Sequence, residues 1–350
     1  MISRWLRRIL AGILILAAGA GLGLWWSADE PPRLWPPRDL AGTTAALDRE
    51  LPGLLAATRV PAAAVALVSG DRVIFSRGYG IAGGSGAPVT GDTVFQAGSI
   101  SKTVAAAALV GHYPDRLDEP IVSRLRGWTL PPGGPDPEAI TLRRLLSHTA
   151  GMNVSGYLGT VQGGSTIDSL NGRTGADPVR QSEAPGPYRY SGGGYTVAQL
   201  FAESDTGRPF ADLVHDQVLA PLRLERSGFG CGAEVVPGHD QHGRPTPGYR
   251  YPEAAAAGLC STANDLGRFA AWLGSADPVA VRLRTAEAGT DGKYGLGVEI
   301  DHPDHVGHLG VNRGYYARLV VNPRERFGVV VLTNGDRGSE VVSAVLRLLR

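Results

Sequence analysis

Gly98-Ser99-Ile100-Ser101-Lys102-Thr103-Val104-Ala105-Ala106-Ala107-Ala108-Leu109-Val110 sets a serine and a lysine three residues apart, then runs on as an alanine-rich apolar stretch. The pattern predicts a helix over Ser99–Val110, ending near Pro114. At that spacing both side chains share one helix face. A serine hydroxyl is a weak nucleophile until a neighbour takes its proton, and a desolvated lysine can do so. The head of the helix adds backbone N–H groups and a positive dipole, which favour an oxyanion formed on attack. Taken alone, the same four residues also fit a serine cap followed by a surface lysine.

Basic-residue usage bears on that choice. Of 34 basic residues only Lys102 and Lys293 are lysines; the rest are arginine. Codon bias accounts for the general trend, but arginine does not lose its proton in a protein and lysine can. A position that must act as a base resists replacement by arginine, and Lys102 fits that reading. Lys293, in the turn Gly292-Lys293-Tyr294, reads as solvated surface.

Two later elements carry chemistry. In Pro187-Tyr188-Arg189-Tyr190-Ser191-Gly192, a tyrosine beside small residues after a turn can point its phenol into a cleft and pass a proton to a leaving group. Tyr190 is the candidate, with Tyr188 and Tyr195 competing for the role. His308-Leu309-Gly310 lies just ahead of a strand beginning at Tyr315. Gly310 would let a ligand backbone approach the strand edge, where N–H groups can bind a carbonyl or carboxylate. Asp301, His302, Asp304, His305 and His308 also resemble a metal cluster, but they fall in a proline-containing connection without a ligand helix, and no metal is assigned. G-x-S-x-G, H-E-x-x-H and Walker-type signatures are absent, which argues against an α/β-hydrolase, a zincin and a P-loop enzyme.

The rest of the chain frames these elements. Residues 39–59 read as an amphipathic helix. Ala63–Val68, the turn Ser69-Gly70-Asp71 and Val73–Tyr79 read as a β-hairpin. A helix is expected over 137–147, a long loop over 152–187, and helices over Tyr195–Glu203, Pro209–Leu219 and Thr262–Leu273, the last capped by Ser261 or Thr262. Strands are expected over Leu296–Ile300, Tyr315–Val321 and Phe327–Leu332, and a final helix over Ser339–Leu349. This order gives an α+β fold, with one antiparallel sheet built from both chain ends and a mostly helical region inserted.

The N-terminus reads as a targeting segment. Arg4, Arg7 and Arg8 precede 18 uncharged residues, Ile9–Trp26, followed by the proline-rich Pro31–Pro37. That apolar length lies between a signal peptide and a membrane anchor. Ala18-Gly19-Ala20 could be cleaved, whereas Trp25-Trp26 could hold an anchor at the membrane surface. Either way residues 1–37 contact the membrane at least in passage, and the domain at 38–350 lies outside the cytoplasm. Cys231 and Cys260 form one disulfide or remain two thiols. The net charge of +1 offers no field for nucleic acid.

The chain resembles the family of serine β-lactamases, D-alanyl-D-alanine carboxypeptidases and related esterases, and within it the class C branch. Ser99-Ile100-Ser101-Lys102, Tyr190-Ser191-Gly192 and His308-Leu309-Gly310 fall in that family's order. Leu145-Leu146-Ser147-His148-Thr149-Ala150-Gly151, Gly258–Leu266, Tyr294-Gly295-Leu296-Gly297 and Val329–Asn334 match further segments. The resemblance implies a β-lactamase/transpeptidase-like fold, an acyl-enzyme on Ser99, proton transfer by Lys102 and Tyr190, and an oxyanion hole from the N–H groups of Ser99 and Val311. It implies that Gly192, His308, Gly310 and Val311 meet the substrate, that His148 is structural, and that no cofactor is needed. Gly192 replaces the usual asparagine and His308 the usual lysine. These departures favour an esterase, amidase or peptidase acting on a small molecule or peptide, cell-wall fragments among them, over an efficient β-lactamase. The alternatives are a β-lactamase proper and a non-catalytic binder of such fragments on the same fold.

Overall fold

The computed structural model describes residues 34–83, 86–302 and 304–349, so the targeting reading of the N-terminus lies outside the described residues. In chain order the elements are α1 (Leu40–Thr58), β1 (Ala62–Ser69), β2 (Arg72–Gly80), β3 (Phe95–Gln96), α2 (Ile100–His112), α3 (Leu142–Leu146), α4 (Thr166–Leu170), α5 (Gly192–Thr206), α6 (Phe210–Val214), β4 (Gly228–Phe229), α7 (Ala254–Ala257), β5 (Leu259–Ser261), α8 (Ala263–Leu273), α9 (Pro278–Leu283), β6 (Glu299–His302), β7 (His305–Asn312), β8 (Tyr315–Asn322), β9 (Phe327–Thr333) and α10 (Gly338–Leu348).

Six strands make one antiparallel sheet in the order β2-β1-β9-β8-β7-β6, built from both ends of the chain as expected. Because side chains alternate across a strand, β1 and β9 feed two cores. Ala63, Val65, Leu67, Val329 and Val331 pack with Leu47, Leu51 and Leu55 of α1 and Val341, Val342 and Val345 of α10. Ala62, Ala64, Ala66, Val330 and Leu332 face the other way, onto Leu266, Phe269 and Ala270 of α8 and the larger core around α2. Helix α2 is buried at every position from Ile100 to Val110, which explains why it is apolar all round. α8 is capped by Thr262, whose Oγ1 accepts the Asp265 N–H at 3.0 Å.

Three expectations are corrected. The helix expected over 137–147 is a short turn at Pro137–Ala139 and then α3, which Thr141 caps. Ile140 and Thr141 are extended between them, because the cap residue of a helix is itself non-helical. The 152–187 loop contains α4, closed by a capping box between Ser165 and Asp168. His305–Asn312 is not a connection but the largely buried strand β7, which pairs with β6 as far as Gly307 and with β8 from Val306 to Asn312, His308 included.

Cys231 and Cys260 form a disulfide with Cα atoms 5.7 Å apart. Cys260 lies in β5, the centre of a three-stranded sheet with β3 and β4. Replacing both cysteines by serine is expected to destabilise the chain by about 3 kcal/mol, from the loop of roughly 30 residues that the bond closes. Thermal unfolding checks this, and an unchanged midpoint would contradict it.

Candidate active site

The turn before α2 places the serine. Gly98 has φ +53°, a conformation that favours glycine, and a Cβ there would lie 2.5 Å from the Val311 nitrogen. Ser99 heads α2 with no cap bond from its side chain, so its hydroxyl is left for the cleft. This excludes the reading of a serine cap with a surface lysine. Lys102 is only 2% exposed, and its Nζ lies 3.0 Å from Ser99 Oγ and 2.8 Å from the Ala256 carbonyl of α7. Burial pulls the Lys102 pKa down to about 7, against the opposing pull of Glu299. Near neutral pH the amine is therefore neutral in a large fraction of molecules, and the same 3.0 Å contact then runs from Ser99 O–H to Nζ.

Tyr190 completes the group. Its hydroxyl is directed at Ser99, and burial holds its pKa well above the usual phenol value, so it is a phenol and not a phenolate. Lys102 Nζ sits 4.9 Å from the Tyr190 ring centre. The competing tyrosines are placed elsewhere. Tyr195 is fully buried and donates to the Leu146 carbonyl at 2.7 Å, and Tyr188 is an exposed residue of the rim.

On the opposite wall, β7 brings up its edge. Leu309 N–H donates to Glu299 Oε2 at 3.1 Å, so it points out of β7, away from β8. Alternate residues of a strand share an edge, so the Val311 N–H points the same way, toward Gly98 and Ser99. Gly310 has a structural reason as well. What approaches the strand at Gly310 is the protein's own Ala97 carbonyl, 2.1 Å from where a Cβ would stand. Glycine at 310 thus lets β7 close on the Ser99 turn. Asn312 ties the same junction, donating to Gln96 Oε1 at 2.9 Å and to the Ala257 carbonyl at 3.0 Å.

Gly192 is buried at the start of α5, its N–H donating to the Ser155 carbonyl at 3.0 Å. A Cβ there would lie 3.3 Å from the Tyr157 ring, so Tyr157 stands where a side chain from 192 would begin. Position 192 thus sits at the head of α5 with no room for a longer side chain beside Tyr157. The cluster of acids and histidines at 301–308 does not converge either. His305 Nε2 accepts the Leu34 N–H at 2.7 Å, His308 turns toward Tyr294, and no group of three or more potential metal ligands occurs among the described residues.

Sequence reasoning missed a buried chain of neutral groups behind Tyr190. Ser191 N–H donates to His148 Nδ1 at 3.0 Å. The proton of His148 therefore sits on Nε2, which faces Tyr294 Oη at 3.1 Å. Tyr294 Oη in turn faces His308 Nε2 at 3.0 Å. His308 Nδ1 lies 2.6 Å from the Leu309 carbonyl, an acceptor, so Nδ1 carries the proton and Nε2 accepts from Tyr294. Burial is the main cause that lowers both histidine pKa values, to about 3 for His308, with Lys102 pushing the same way. His148 holds an uncommon φ of +61°, kept there by the Arg189 N–H donating to its carbonyl at 2.7 Å and by both ring contacts.

The profile of the family described as Beta-lactamase matches residues 47–349. This chain belongs to the beta-lactamase family. Among curated relatives of this beta-lactamase-family chain, "Penicillin-binding protein 4" of Amycolatopsis lactamdurans is 32% identical over 48% of the chain and 44% of its own length. "D-aminopeptidase" of Gluconobacter oxydans is 24% identical over 87% of the chain and 60% of its own length. "Esterase EstB" of Burkholderia gladioli is 29% identical over 60% of the chain and 57% of its own length. The chain thus spans about half of these relatives. Among solved structures, D-amino acid amidase from Ochrobactrum anthropi aligns with TM-score 0.71 and 21% identity, over 88% of this chain and 96% of its own. The penicillin-binding protein homologue from Pyrococcus abyssi aligns with TM-score 0.71 and 23% identity, over 87% and 77%. The fold is the β-lactamase/transpeptidase-like one expected.

Proposed function

We propose that this chain is a serine hydrolase that cleaves an ester, amide or peptide through an acyl-enzyme on Ser99. The observation that carries the reading is the buried Lys102 amine, 3.0 Å from Ser99 Oγ and with its pKa brought down to about 7. Ser99 Oγ attacks the substrate carbonyl and its proton passes to Lys102 Nζ. The oxyanion is received by the N–H groups of Ser99 and Val311. Tyr190, a phenol in contact with Ser99, gives its proton to the leaving group and recovers one from Lys102. Water then releases the acyl group by the reverse path. The names of the relatives, an aminopeptidase and an esterase among them, support this range of substrates.

The base must be neutral to act, so kcat/KM is expected to rise with pH through about 7 and level off above it. A pH profile on a short-chain p-nitrophenyl ester checks this. A profile that falls through the same range would contradict it.

The same reading includes export. The charged, apolar and proline-rich order of residues 1–37 supports it, whether cleaved or kept as an anchor at 9–26. The Cys231–Cys260 bond supports an oxidising compartment.

A further inference from the structure

The edge of β7 beside the oxyanion site carries an anion, Glu299. Glu299 Oε2 takes the Leu309 N–H at 3.1 Å, and Leu309 lies two residues, about 7 Å, from the Val311 N–H along the strand. A carbonyl bound by Val311 therefore puts its substituent on that side within reach of the Glu299 carboxylate. Arg318, the cation beside it, is shared by Glu299 at 2.7 Å and by Asp301, so the three residues sum to one excess negative charge. His308 brings none to offset it. Its Nδ1–H lies 2.6 Å from the Leu309 carbonyl and 3.5 Å from Glu299 Oε1, and its Nε2 accepts from Tyr294, whose hydroxyl is turned that way by His148, so the ring meets Glu299 as a neutral donor. Burial of His308 works in the same direction.

We propose that the flank formed by His308, Leu309 and Glu299 selects substrates whose group beside the scissile carbonyl is neutral or cationic, and turns away those with a free carboxylate there. This rests on the acyl-enzyme reading above and narrows it to an esterase, an amidase or an aminopeptidase, against a carboxypeptidase. A carboxylate placed beside Glu299 meets like charge in a partly desolvated cleft, while an amide N–H or ammonium finds an acceptor.

The test uses the full chain and two thioesters of N-benzoylglycine that differ in one group: a thioglycolate leaving group with a free carboxylate, and its methyl ester. At low salt, kcat/KM is expected to be at least tenfold higher for the methyl ester. Glu299→Gln should cut that ratio severalfold by raising the carboxylate arm, and 0.5 M salt should narrow it in the unmodified protein, which needs no variant to fold. Equal rates, a preference for the carboxylate, or a ratio indifferent to both changes would overturn the proposal. Failure to turn over either ester faster than Ser99→Ala would instead count against the acyl-enzyme reading. In that event, labelling by a matched pair of fluorophosphonates, carboxylate and carboxamide, still decides the charge preference by mass. Labelling by neither removes both readings.

Discussion

Lys102→Met is expected to lower kcat/KM on esters by about 10³-fold, within the range for losing a positioned general base, while the chain stays folded. Methionine is similar in length, fits a site only 2% exposed, and has no proton acceptor of comparable basicity. What is lost is the group 3.0 Å from Ser99 Oγ and the donor to the Ala256 carbonyl. A buried amine is also costly to the fold when charged, so the variant should unfold no earlier than the native chain at pH 6. Lys102→Arg separates charge from length: a guanidinium stays protonated, so it should be as inactive as methionine despite restoring a cation. Steady-state kinetics with thermal unfolding check both. An arginine variant retaining a tenth of the activity would show that Lys102 serves as a charge and not as a base.

Gly310→Ala is expected to cost about 10²–10³ in kcat, the scale for losing one oxyanion donor. The new Cβ would stand 2.1 Å from the Ala97 carbonyl oxygen, a backbone atom that no rotamer change can move. β7 must retreat from the Ser99 turn and carry the Val311 N–H with it. The matched control is Gly53→Ala in α1, where a Cβ meets nothing within 4 Å. There alanine should leave kcat unchanged and add about 0.5–1 kcal/mol, because it restricts the unfolded chain and favours the helix. Equal activity in the two variants would mean that β7 does not form part of the reacting site.

What the sequence disclosed follows from how local each signal is. Leu47, Leu51 and Leu55 of α1 and Val341, Val342 and Val345 of α10 recur at helical spacing, whereas β1, α2 and β9 are continuous apolar runs, and both patterns report burial directly. β7 escaped notice because histidines and glycines fill positions that apolar residues usually hold; they are buried through Tyr294, Leu34 and the Ala97 contact, none of them sequence neighbours. Helix α5 begins at Gly192, ahead of the expected Tyr195, because Ser191 caps it and the three glycines after it pack tightly against 154–157 and Leu145.

The site divides the same way. Ser99 and Lys102 share a helix turn, so spacing alone brings them together. Tyr190 is named from its turn and picked over Tyr188 and Tyr195 by the family resemblance, and the tertiary contacts give the physical reason that Tyr195 is spent on the Leu146 carbonyl. Glu299, the Ala256 carbonyl and the Tyr294 hydroxyl lie 157 to 200 residues from the serine and join it only through tertiary packing against α2. A trace of Tyr294 was present in the Tyr294-Gly295-Leu296-Gly297 segment. Its glycine at 297, with φ +72°, lets the chain pass 2.8 Å from the Lys102 carbonyl as measured from a Cβ position.

The central claim is that Ser99 carries the acyl group. The direct measurement is intact-mass spectrometry of the full chain, acid-quenched during turnover of p-nitrophenyl acetate, with Ser99→Ala treated alongside and the modified peptide mapped. The account predicts one acetyl group, on Ser99, absent from the variant along with the turnover. An adduct mapped to another residue, or turnover that survives in Ser99→Ala, would contradict it.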